Sequence, residues 1–305
     1  MSDPRRHHYI PVFYLKQWAT NGFLCEMRKV QGKIIIHSKA PTATGFRQDL
    51  YRIDGVSPEL AQHFERTFMH MVDSQAASAM RRIQSGSKET WPASERDAWV
   101  RFILSLLFRN PEAVELIKGQ MKRIWAEAIQ GLRDDYESYR RPGDPATPEE
   151  FIAKTNPNAP ALAASNFLQK MMNSEVIANG IMDLSWARVR VPDSRWTFLT
   201  SDRPLDMPHG LGGKNSYITL PIGPRTLFVG SKDPLNLKDL SPAKQAQMVR
   251  DINVRIVSMA RQYVWAADDS ARELVRKYIA TAPDRKLISD RAQQLSIQHA
   301  RGSTA

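Results

Sequence analysis

The segment PRRHHYIPVFYLKQWATNGFL, residues 4–24, places two arginines, two adjacent histidines and a proline-interrupted aromatic run at the start of the chain. Most domains begin with a frayed terminus, whereas this one begins with residues suited to packing and to chemistry. Histidine titrates near neutral pH and can donate, accept or bind a metal, so His7 and His8 are the first candidates for a functional role. Because successive side chains of an extended strand point to opposite faces, we expect the two histidines to lie in different environments.

The composition is that of a globular protein. The chain has 305 residues, of which 42% are hydrophobic and 25% charged, enough for a sizeable core. It holds no run near the roughly 18 apolar residues of a membrane helix, and its start lacks the cleavage site of a signal peptide. Cys25 is the only cysteine, which excludes an internal disulfide framework and a cysteine-rich zinc site. We therefore expect a cytoplasmic protein without a membrane partner.

The chain is strongly basic. It holds 43 lysines and arginines against 32 aspartates and glutamates, a net charge of +11. The excess of basic residues lies toward the two ends of the chain, whereas residues 134–180 hold more acidic than basic residues and are rich in proline. A positive field of this size favours polyanionic partners, chiefly nucleic acid, through counterion release. The alternative is that the charge only aids solubility, since no dense lysine or arginine block accompanies it.

Beyond the first segment, the periodicity of apolar residues along the chain changes twice. Short strands and turns come first, with a hairpin around Gln31-Gly32. Helical periodicity follows, and then β-branched and aromatic runs such as Trp196–Thr200 alternate with helices such as Ser241–Met259. This order predicts an α+β fold with a small β-rich N-terminal segment, a helical middle and a sheet-containing C-terminal part. We predict a single domain over residues 1–300, followed by a tail over 301–305. Within the domain we expect N-terminal strands over 9–56, a helical region over 57–180 and a mixed region of sheet and helices over 181–300.

The first long helix carries a carboxylate candidate. Ser57 and the proline after it predict the helix start, and Ser85-Gly86 predicts its end. Glu65 lies at the edge of the apolar stripe of this helix. A partly buried carboxylate needs a partner, which is a metal, a histidine or an arginine. A structural salt bridge to an arginine such as Arg109 is the alternative to a functional role.

The motif FLTSDRPL, residues 198–205, places polar side chains at the end of an apolar strand. Ligand sites often lie at such positions. Asp202 is suited to binding a divalent metal, orienting a histidine or accepting a proton. The alternative is a local Asx or Ser/Thr turn, in which the side chain satisfies its own backbone. A serine nucleophile is not expected, because the glycine-flanked strand–turn–helix elbow is absent.

Two arginines are candidates for phosphate binding. Arg109 ends an apolar helix just before Pro111, where a cation is also favoured by the helix dipole alone. Arg6 lies beside the histidines and supplies charge suited to a phosphate. Tyr9 and Asn253 are expected to support the site, and Asn253 has the alternative role of a buried hydrogen-bonding residue. The chain contains no Walker loop, GxGxxG turn or HExxH helix, which argues against a nucleotide-fuelled motor and a dinucleotide oxidoreductase.

Several short motifs together resemble the Domain of Unknown Function 4238 family. They are HHYIPVFYLKQWATNGFL (7–24), FRNP (108–111), FLTSDRPL (198–205), LPIGP (220–224) and NVRIVSMARQYVWA (253–266). They occur in the order of the family pattern and span nearly the whole chain. Where that pattern usually carries a residue such as asparagine, this chain has Arg203, which adds positive charge beside Asp202. The resemblance implies a shared fold and no particular reaction.

We expect a protein directed to nucleic acid, in the first instance a nuclease-like effector with metal- or histidine-assisted phosphodiester chemistry. The cofactor that such chemistry admits is a divalent metal. The assigned residues are His7, His8, Asp202 and Glu65 as acid–base or metal-binding groups, Arg6 and Arg109 as phosphate-binding groups, and Tyr9, Ser201 and Asn253 as supporting groups. One alternative is a non-catalytic module that binds a ligand or nucleic acid, in which the same residues form a ligand-sensing pocket or a protein interface. A further alternative is that the histidines and Asp202 form only a buried polar network that fixes the N-terminal strand to the C-terminal sheet.

Overall fold

Helices and antiparallel strands are mixed along the chain, which confirms the predicted α+β class and the N-terminal β segment. A computed structural model describes residues 5–52, 68–86, 91–233 and 241–283. Among these residues the strands are β1 (Arg6–His8), β2 (Leu24–Val30), β3 (Lys33–Lys39), β4 (Phe46–Gln48), β5 (Ser185–Arg190), β6 (Thr200–Ser201), β7 (Tyr217–Gly223), β8 (Thr226–Ser231) and β9 (Val264–Ala266). The α-helices are α1 (Val12–Leu15), α2 (His70–Ser85), α3 (Ala93–Phe108), α4 (Pro111–Gly131), α5 (Arg133–Tyr139), α6 (Pro148–Thr155), α7 (Ala159–Met172), α8 (Glu175–Met182), α9 (Pro242–Met259) and α10 (Arg272–Tyr278).

The described strands form three antiparallel sheets. The first is the pair β1-β4, the second has the order β3-β2-β9-β6, and the third has the order β5-β8-β7. In the second sheet, which we call the central sheet, the N-terminal hairpin lies next to β9 from the far end of the chain. Met27 and Val264 are paired across β2 and β9, and both pack in one apolar cluster with α9 and α10. The N-terminal hairpin and the elements from α9 to α10 are therefore parts of one core.

Tight turns connect the N-terminal strands as the sequence predicts. Gln31 and Gly32 both have positive φ, 47° and 78°, and close the β2-β3 hairpin. This pair of angles matches a two-residue turn whose twist suits antiparallel strands. Helix α2 ends at the predicted place, with Gly86 at φ 69° as its C-terminal cap. Local backbone preference therefore places these element boundaries.

The aromatic run after Pro11 is a helical turn, where the sequence predicts short strands and turns. Helix α1 and the 3-10 turn Lys16–Trp18 bury Tyr14, Leu15 and Trp18. The Tyr14 hydroxyl donates to Pro221 O at 2.6 Å, and Trp18 Nε1 donates to Phe198 O at 2.8 Å. These bonds connect the N-terminal segment to the C-terminal region. Only tertiary packing supplies such partners, so the local pattern alone could not place this turn.

Gly45 allows the chain to pass close to the N-terminal segment. Its carbonyl accepts hydrogen bonds from Tyr9 N at 2.9 Å and Ile10 N at 3.1 Å. Its φ is 69°, and a Cβ at this position would lie 2.9 Å from Leu15 Cδ1. Both the backbone angle and the space therefore require glycine. This glycine sets the position of the histidine-bearing strand.

The structure differs from the prediction at two further places. The sequence predicts one helix from about Ala161 to Asn179, whereas Asn173 and Ser174 divide it into α7 and α8, because such residues favour caps over helix interiors. The predicted strand Trp196–Thr200 is reduced to β6. Thr197 and Leu199 bond to the Asn253 side chain of α9, and Phe198 N donates to Pro224 O at 2.8 Å.

Candidate functional site

The two histidines lie on opposite faces of β1. His7 is buried, stacks on the Tyr51 ring at 5.5 Å between centroids, and accepts a hydrogen bond at Nδ1 from Tyr51 N at 3.0 Å. His8 faces the other way and meets the edge of Phe46, its partner on β4, also at 5.5 Å. Only one of the two histidines can therefore serve a given pocket. His7 is held in the core, whereas His8 is partly exposed.

His8 is neutral at physiological pH. Burial lowers the pKa of His8 from its ordinary 6.5 to about 4, and the nearby guanidinium of Arg109 lowers it further, while a hydrogen bond with the Thr42 backbone opposes both. Its Nε2 atom is buried and has no hydrogen-bond partner within the described part of the chain. A neutral imidazole with a free nitrogen is the form that accepts a proton or binds a metal.

Arg6 lies next to His8 on the same face of β1. Its side chain is exposed, and its guanidinium carbon lies 5.1 Å from the centroid of the Phe46 ring that His8 also touches. The cation–π contact holds the arginine against the strand pair without neutralising its charge. Arg6 is thus presented to solvent beside the neutral His8. Glu65, the carboxylate predicted to complete this site, lies outside the described residues.

Arg109 is fully buried and has internal partners. Its guanidinium donates to both carboxylate oxygens of Asp73 on α2, at 2.7 and 3.2 Å, and to the backbone oxygen of His8 at 2.7 Å. The Tyr51 hydroxyl donates to the backbone oxygen of Arg109 at 2.7 Å. The arginine thereby joins β1 to α2 and α3. This arrangement favours a structural role for Arg109 over phosphate binding, because the two guanidinium nitrogens that would bind a phosphate already bind the Asp73 carboxylate.

Asp202 stabilises the turn before β9. Its Oδ1 accepts from Arg261 N at 2.8 Å, and its Oδ2 accepts from Gln262 N at 2.6 Å and from Tyr263 N at 3.0 Å. Burial nevertheless raises the pKa of Asp202 from 3.8 to about 6, against the three amides, which lower it. Its carboxylate is thus bonded to the backbone of a turn 59 to 61 residues further along the chain, and not to the local backbone that the turn alternative of the sequence predicts.

Ser201 and Asn253 likewise bond to the backbone. Ser201 Oγ donates to Ile256 O at 3.3 Å and accepts from Arg203 N at 3.1 Å. Asn253 Oδ1 accepts from Leu199 N at 2.9 Å, and its Nδ2 donates to Thr197 O at 2.8 Å. The amide replaces a neighbouring strand for residues 197–199. Arg203, the departure from the family pattern, pairs with Glu112 at 3.0 Å.

Tyr9 is buried in the apolar core, within electrostatic range of polar residues on or beside the central sheet. Its hydroxyl lies in the electrostatic range of Asp202, Tyr263 and Glu26. Burial first, and then the Asp202 charge, raise the pKa of Tyr9 well above its ordinary value. Glu26 on β2 is itself buried and accepts hydrogen bonds from Thr44 Oγ1 and from Trp265 Nε1. Tyr9 and Asp202 are therefore close in space, as part of a buried polar network.

The structure divides the predicted residues into two groups. Arg6, His8 and Arg109 gather around β1, whereas Tyr9, Asp202 and two supporting residues, Ser201 and Asn253, lie on or beside the central sheet. The carboxylate of Asp202 accepts from backbone amides and not from an imidazole. His7, as described above, lies against Tyr51. Among the described contacts of these residues, no hydrogen bond between a histidine and an aspartate joins the two groups.

A separate cleft of about 390 Å³ opens between the turn at residues 195–197, α9 and α10. Three exposed cations surround it, Arg195, Arg250 and Lys277, and none of them forms a salt bridge with another described residue. Two aromatic rings line it as well. The Trp196 side chain is 39% exposed and lies 5.2 Å from the Arg195 guanidinium, and Tyr278 lies 5.1 Å from the Lys277 ammonium. We call this feature the basic-aromatic cleft.

One carboxylate also lines the basic-aromatic cleft. Glu273 on α10 pairs with Arg276 at 2.8 Å, which offsets its charge. The three cations therefore dominate the local potential. Elsewhere in the described ranges, no group of three or more histidine, cysteine, aspartate or glutamate residues is arranged to hold a metal ion. The described helices include none that is both long and apolar enough to cross a membrane.

A family model described as "Protein of unknown function (DUF4238)" matches residues 6–270 of the 305-residue chain. The chain belongs to this family. The resemblance expected from the short motifs is thereby confirmed. Neither the curated proteins nor the solved structures contain a match to the chain. The range shared with DUF4238 begins at β1 and ends before α10, so it includes Arg195, Trp196 and Arg250 and leaves out Lys277 and Tyr278.

Sequence reasoning missed several residues of this DUF4238 protein. Asp73, the partner of Arg109, follows the buried Val72 on α2, and nothing local marks it as an ion-pair residue. The basic-aromatic cleft does have a local signal. Arg195-Trp196 and Lys277-Tyr278 are two basic–aromatic dipeptides, a pattern typical of surfaces that bind both charge and rings. Their common location depends on the packing of α9 against α10.

Proposed function

We propose that this DUF4238 protein binds nucleic acid, and that the basic-aromatic cleft is the binding site. The observation that carries the proposal is the convergence of three cations and two aromatic rings on one cavity. Cations without carboxylate partners attract phosphates, and exposed rings provide surfaces on which bases stack. The cavity volume of about 390 Å³ lies in the range of about 300–1,000 Å³ that is usual for ligand sites.

The net charge supports the same proposal. With a net charge of +11, the protein attracts polyanions at a distance. The cations of the cleft come from three separate elements, so they follow from the tertiary arrangement and not from one basic run. Each phosphate contact with a single strand contributes about −0.7 to the slope of log affinity against log salt concentration. Contacts with two or three phosphates therefore predict a slope of about −1.4 to −2.1.

The hydrogen bonds of the other candidates favour binding over hydrolysis. Asp202 accepts three backbone amides, Arg109 is engaged by Asp73, and Asn253 holds the segment before β6. Groups with such partners stabilise the fold and leave no free atom for a substrate. They fit the buried polar network that the sequence offers as the alternative to catalysis.

The test is fluorescence anisotropy with a labelled 20-nucleotide RNA and DNA at several salt concentrations. Arg250→Glu is expected to weaken binding at least tenfold and to make the salt slope less steep. Lys122→Glu is the matched control, because it makes the same charge change at an exposed position on α4. Equal weakening by both variants would mean that only the overall charge matters, and the cleft assignment would be wrong.

A phosphodiesterase at the N-terminal site is the second candidate. The observation that favours it is His8, a neutral imidazole with an unpartnered Nε2 and with Arg6 beside it. In such an enzyme His8 would take up a proton and Arg6 would neutralise a phosphate. Labelled RNA and DNA incubated with Mg²⁺, Mn²⁺ or EDTA would reveal cleavage. Cleavage by the wild type that persists in a folded His8→Ala variant would remove His8 from this role.

A further inference from the structure

We infer that the basic-aromatic cleft takes one unstacked nucleotide of a single strand, with its base on the Trp196 indole. The inference rests on the proposed function and names the class of nucleic acid that the site selects. It begins with the rings. In a duplex, the bases present only their edges in the grooves. The ring faces of Trp196 and Tyr278 can therefore stack only on a base that is not stacked within a duplex.

The Trp196 ring is presented to solvent and is not part of the core. Its side chain is 39% exposed, whereas Trp18, Trp99 and Trp265 are among the most buried side chains of the described residues. Arg195 lies 5.2 Å from the ring centroid and orients the indole. The same guanidinium brings a positive charge next to the ring, where the phosphate of a stacked nucleotide would lie.

The walls of the cleft are fixed before any ligand arrives. Arg225 donates to Val191 O at 3.4 Å, to Ser194 O and to Trp196 O at 3.2 Å, and so holds the turn that carries Trp196. Asn253 attaches the segment after it to α9 through Thr197 O at 2.8 Å. A preformed site loses less conformational entropy on binding than a mobile one does. The backbone that carries the indole is therefore held in place, which supports Trp196 as a stacking platform.

The positions of the cations fit a strand that runs through the site. Arg195 lies on the turn, Arg250 on α9 and Lys277 on α10, so the three charges that line the cavity come from three different elements. A single phosphate group would call for converging donors, whereas a backbone with one phosphate per nucleotide suits charges spread along its path. The cavity accommodates a single nucleotide, with its neighbours passing over the rim.

The test compares a labelled 15-nucleotide single strand with the corresponding duplex by fluorescence anisotropy, using the full chain. The wild type is expected to bind the single strand more tightly. Trp196→Ala is expected to weaken single-strand binding about tenfold or more, and Trp196→Phe to retain most of it, because a phenyl ring still stacks. Tyr139→Ala removes another exposed ring, 78% exposed and on α5, and serves as the control that leaves binding unchanged.

The outcomes separate this inference from the proposed function. If Arg250→Glu weakens binding but Trp196→Ala does not, the cleft binds nucleic acid without a stacked base, and only the present inference is wrong. Equal affinity for single strand and duplex would also overturn it. If neither oligonucleotide binds even at low salt, the proposed function fails as well. Circular dichroism of each variant checks that the loss of binding is not a loss of folding.

Discussion

Replacing the buried Arg109 distinguishes a structural role of this residue in the core from a role in binding phosphate. The guanidinium is fully buried and donates to Asp73, to Ser105 Oγ at 3.3 Å and to the backbone oxygen of His8. Arg109→Met keeps an unbranched side chain of similar reach and removes the charge and all the donors. The change leaves the Asp73 carboxylate and the His8 carbonyl without this partner.

The expected loss of stability follows from the burial of the Arg109–Asp73 ion pair. Breaking a buried ion pair from one side costs about 3–5 kcal/mol. The Asp73 side chain is 25% exposed, so water recovers part of that loss, and we expect the free energy of unfolding to fall by about 3 kcal/mol. Arg109→Lys keeps the charge but loses the two-pronged geometry, so its effect is expected to be intermediate. The double variant Asp73→Asn/Arg109→Met removes the uncompensated charge and is expected to recover about 1 kcal/mol.

The assay is urea denaturation followed by tryptophan fluorescence, combined with the anisotropy titration of single-stranded DNA. The structural role predicts a lower urea midpoint and unchanged affinity of the folded protein for the oligonucleotide. A loss of less than about 1 kcal/mol in unfolding free energy, together with weakened binding, would refute the reasoning. Arg109 would then be a ligand contact, as the first reading of the sequence proposes.

Three further predictions concern stability and its pH dependence. Gly45→Ala forces a Cβ against Leu15 and is expected to lower the free energy of unfolding, measured by urea denaturation, by about 1–3 kcal/mol. Asn253→Ala leaves the buried Leu199 amide and the partly buried Thr197 carbonyl without this partner, and we expect it to cost about 2 kcal/mol in the same assay. The folded pKa of His8, about 4, lies below its ordinary 6.5, so its contribution to stability rises with pH between these values. The folded pKa of Asp202, about 6, lies above 3.8, so its contribution falls over that window. Urea midpoints from pH 4 to 7 should show that His8→Gln removes the rise and Asp202→Asn removes the fall; pH profiles parallel to the wild type would contradict both shifts.

Elements whose boundaries depend on local chemistry were predictable from the sequence. Gln31-Gly32 closes a hairpin because both residues tolerate positive φ, and Gly86 ends a helix for the same reason. Pro111 begins a helix capped by Asn110, whose side chain accepts from Ala113 N at 3.0 Å. Each of these signals acts within a few residues of its own position. The turn at α1 was missed because its stabilising bonds reach about 180 residues or more along the chain.

The candidate site was only partly predictable. The sequence singles out Asp202, but neither the predicted site nor the alternative of a local turn anticipates its three bonds to the backbone of residues 261–263. It does not reveal that Asp73 is the partner of Arg109. The basic-aromatic cleft was missed although its dipeptides are visible, because Arg195 and Lys277 are far apart in the chain. A pairing of this kind has no periodicity and no fixed spacing to indicate it.

The sequence by itself determines the α+β class, the family, the positive charge and most turns and helix ends of this protein, because these follow from composition, local backbone preference and ordered motifs. Only the tertiary structure decides which polar residues are internal and which face solvent. Arg109 and Arg250 have the same side chain, yet one is fully buried against a carboxylate and the other is exposed beside a cavity. The physical reason is that desolvation and pairing depend on neighbours from distant segments, and these decide whether a charge stabilises the fold or remains available to a ligand.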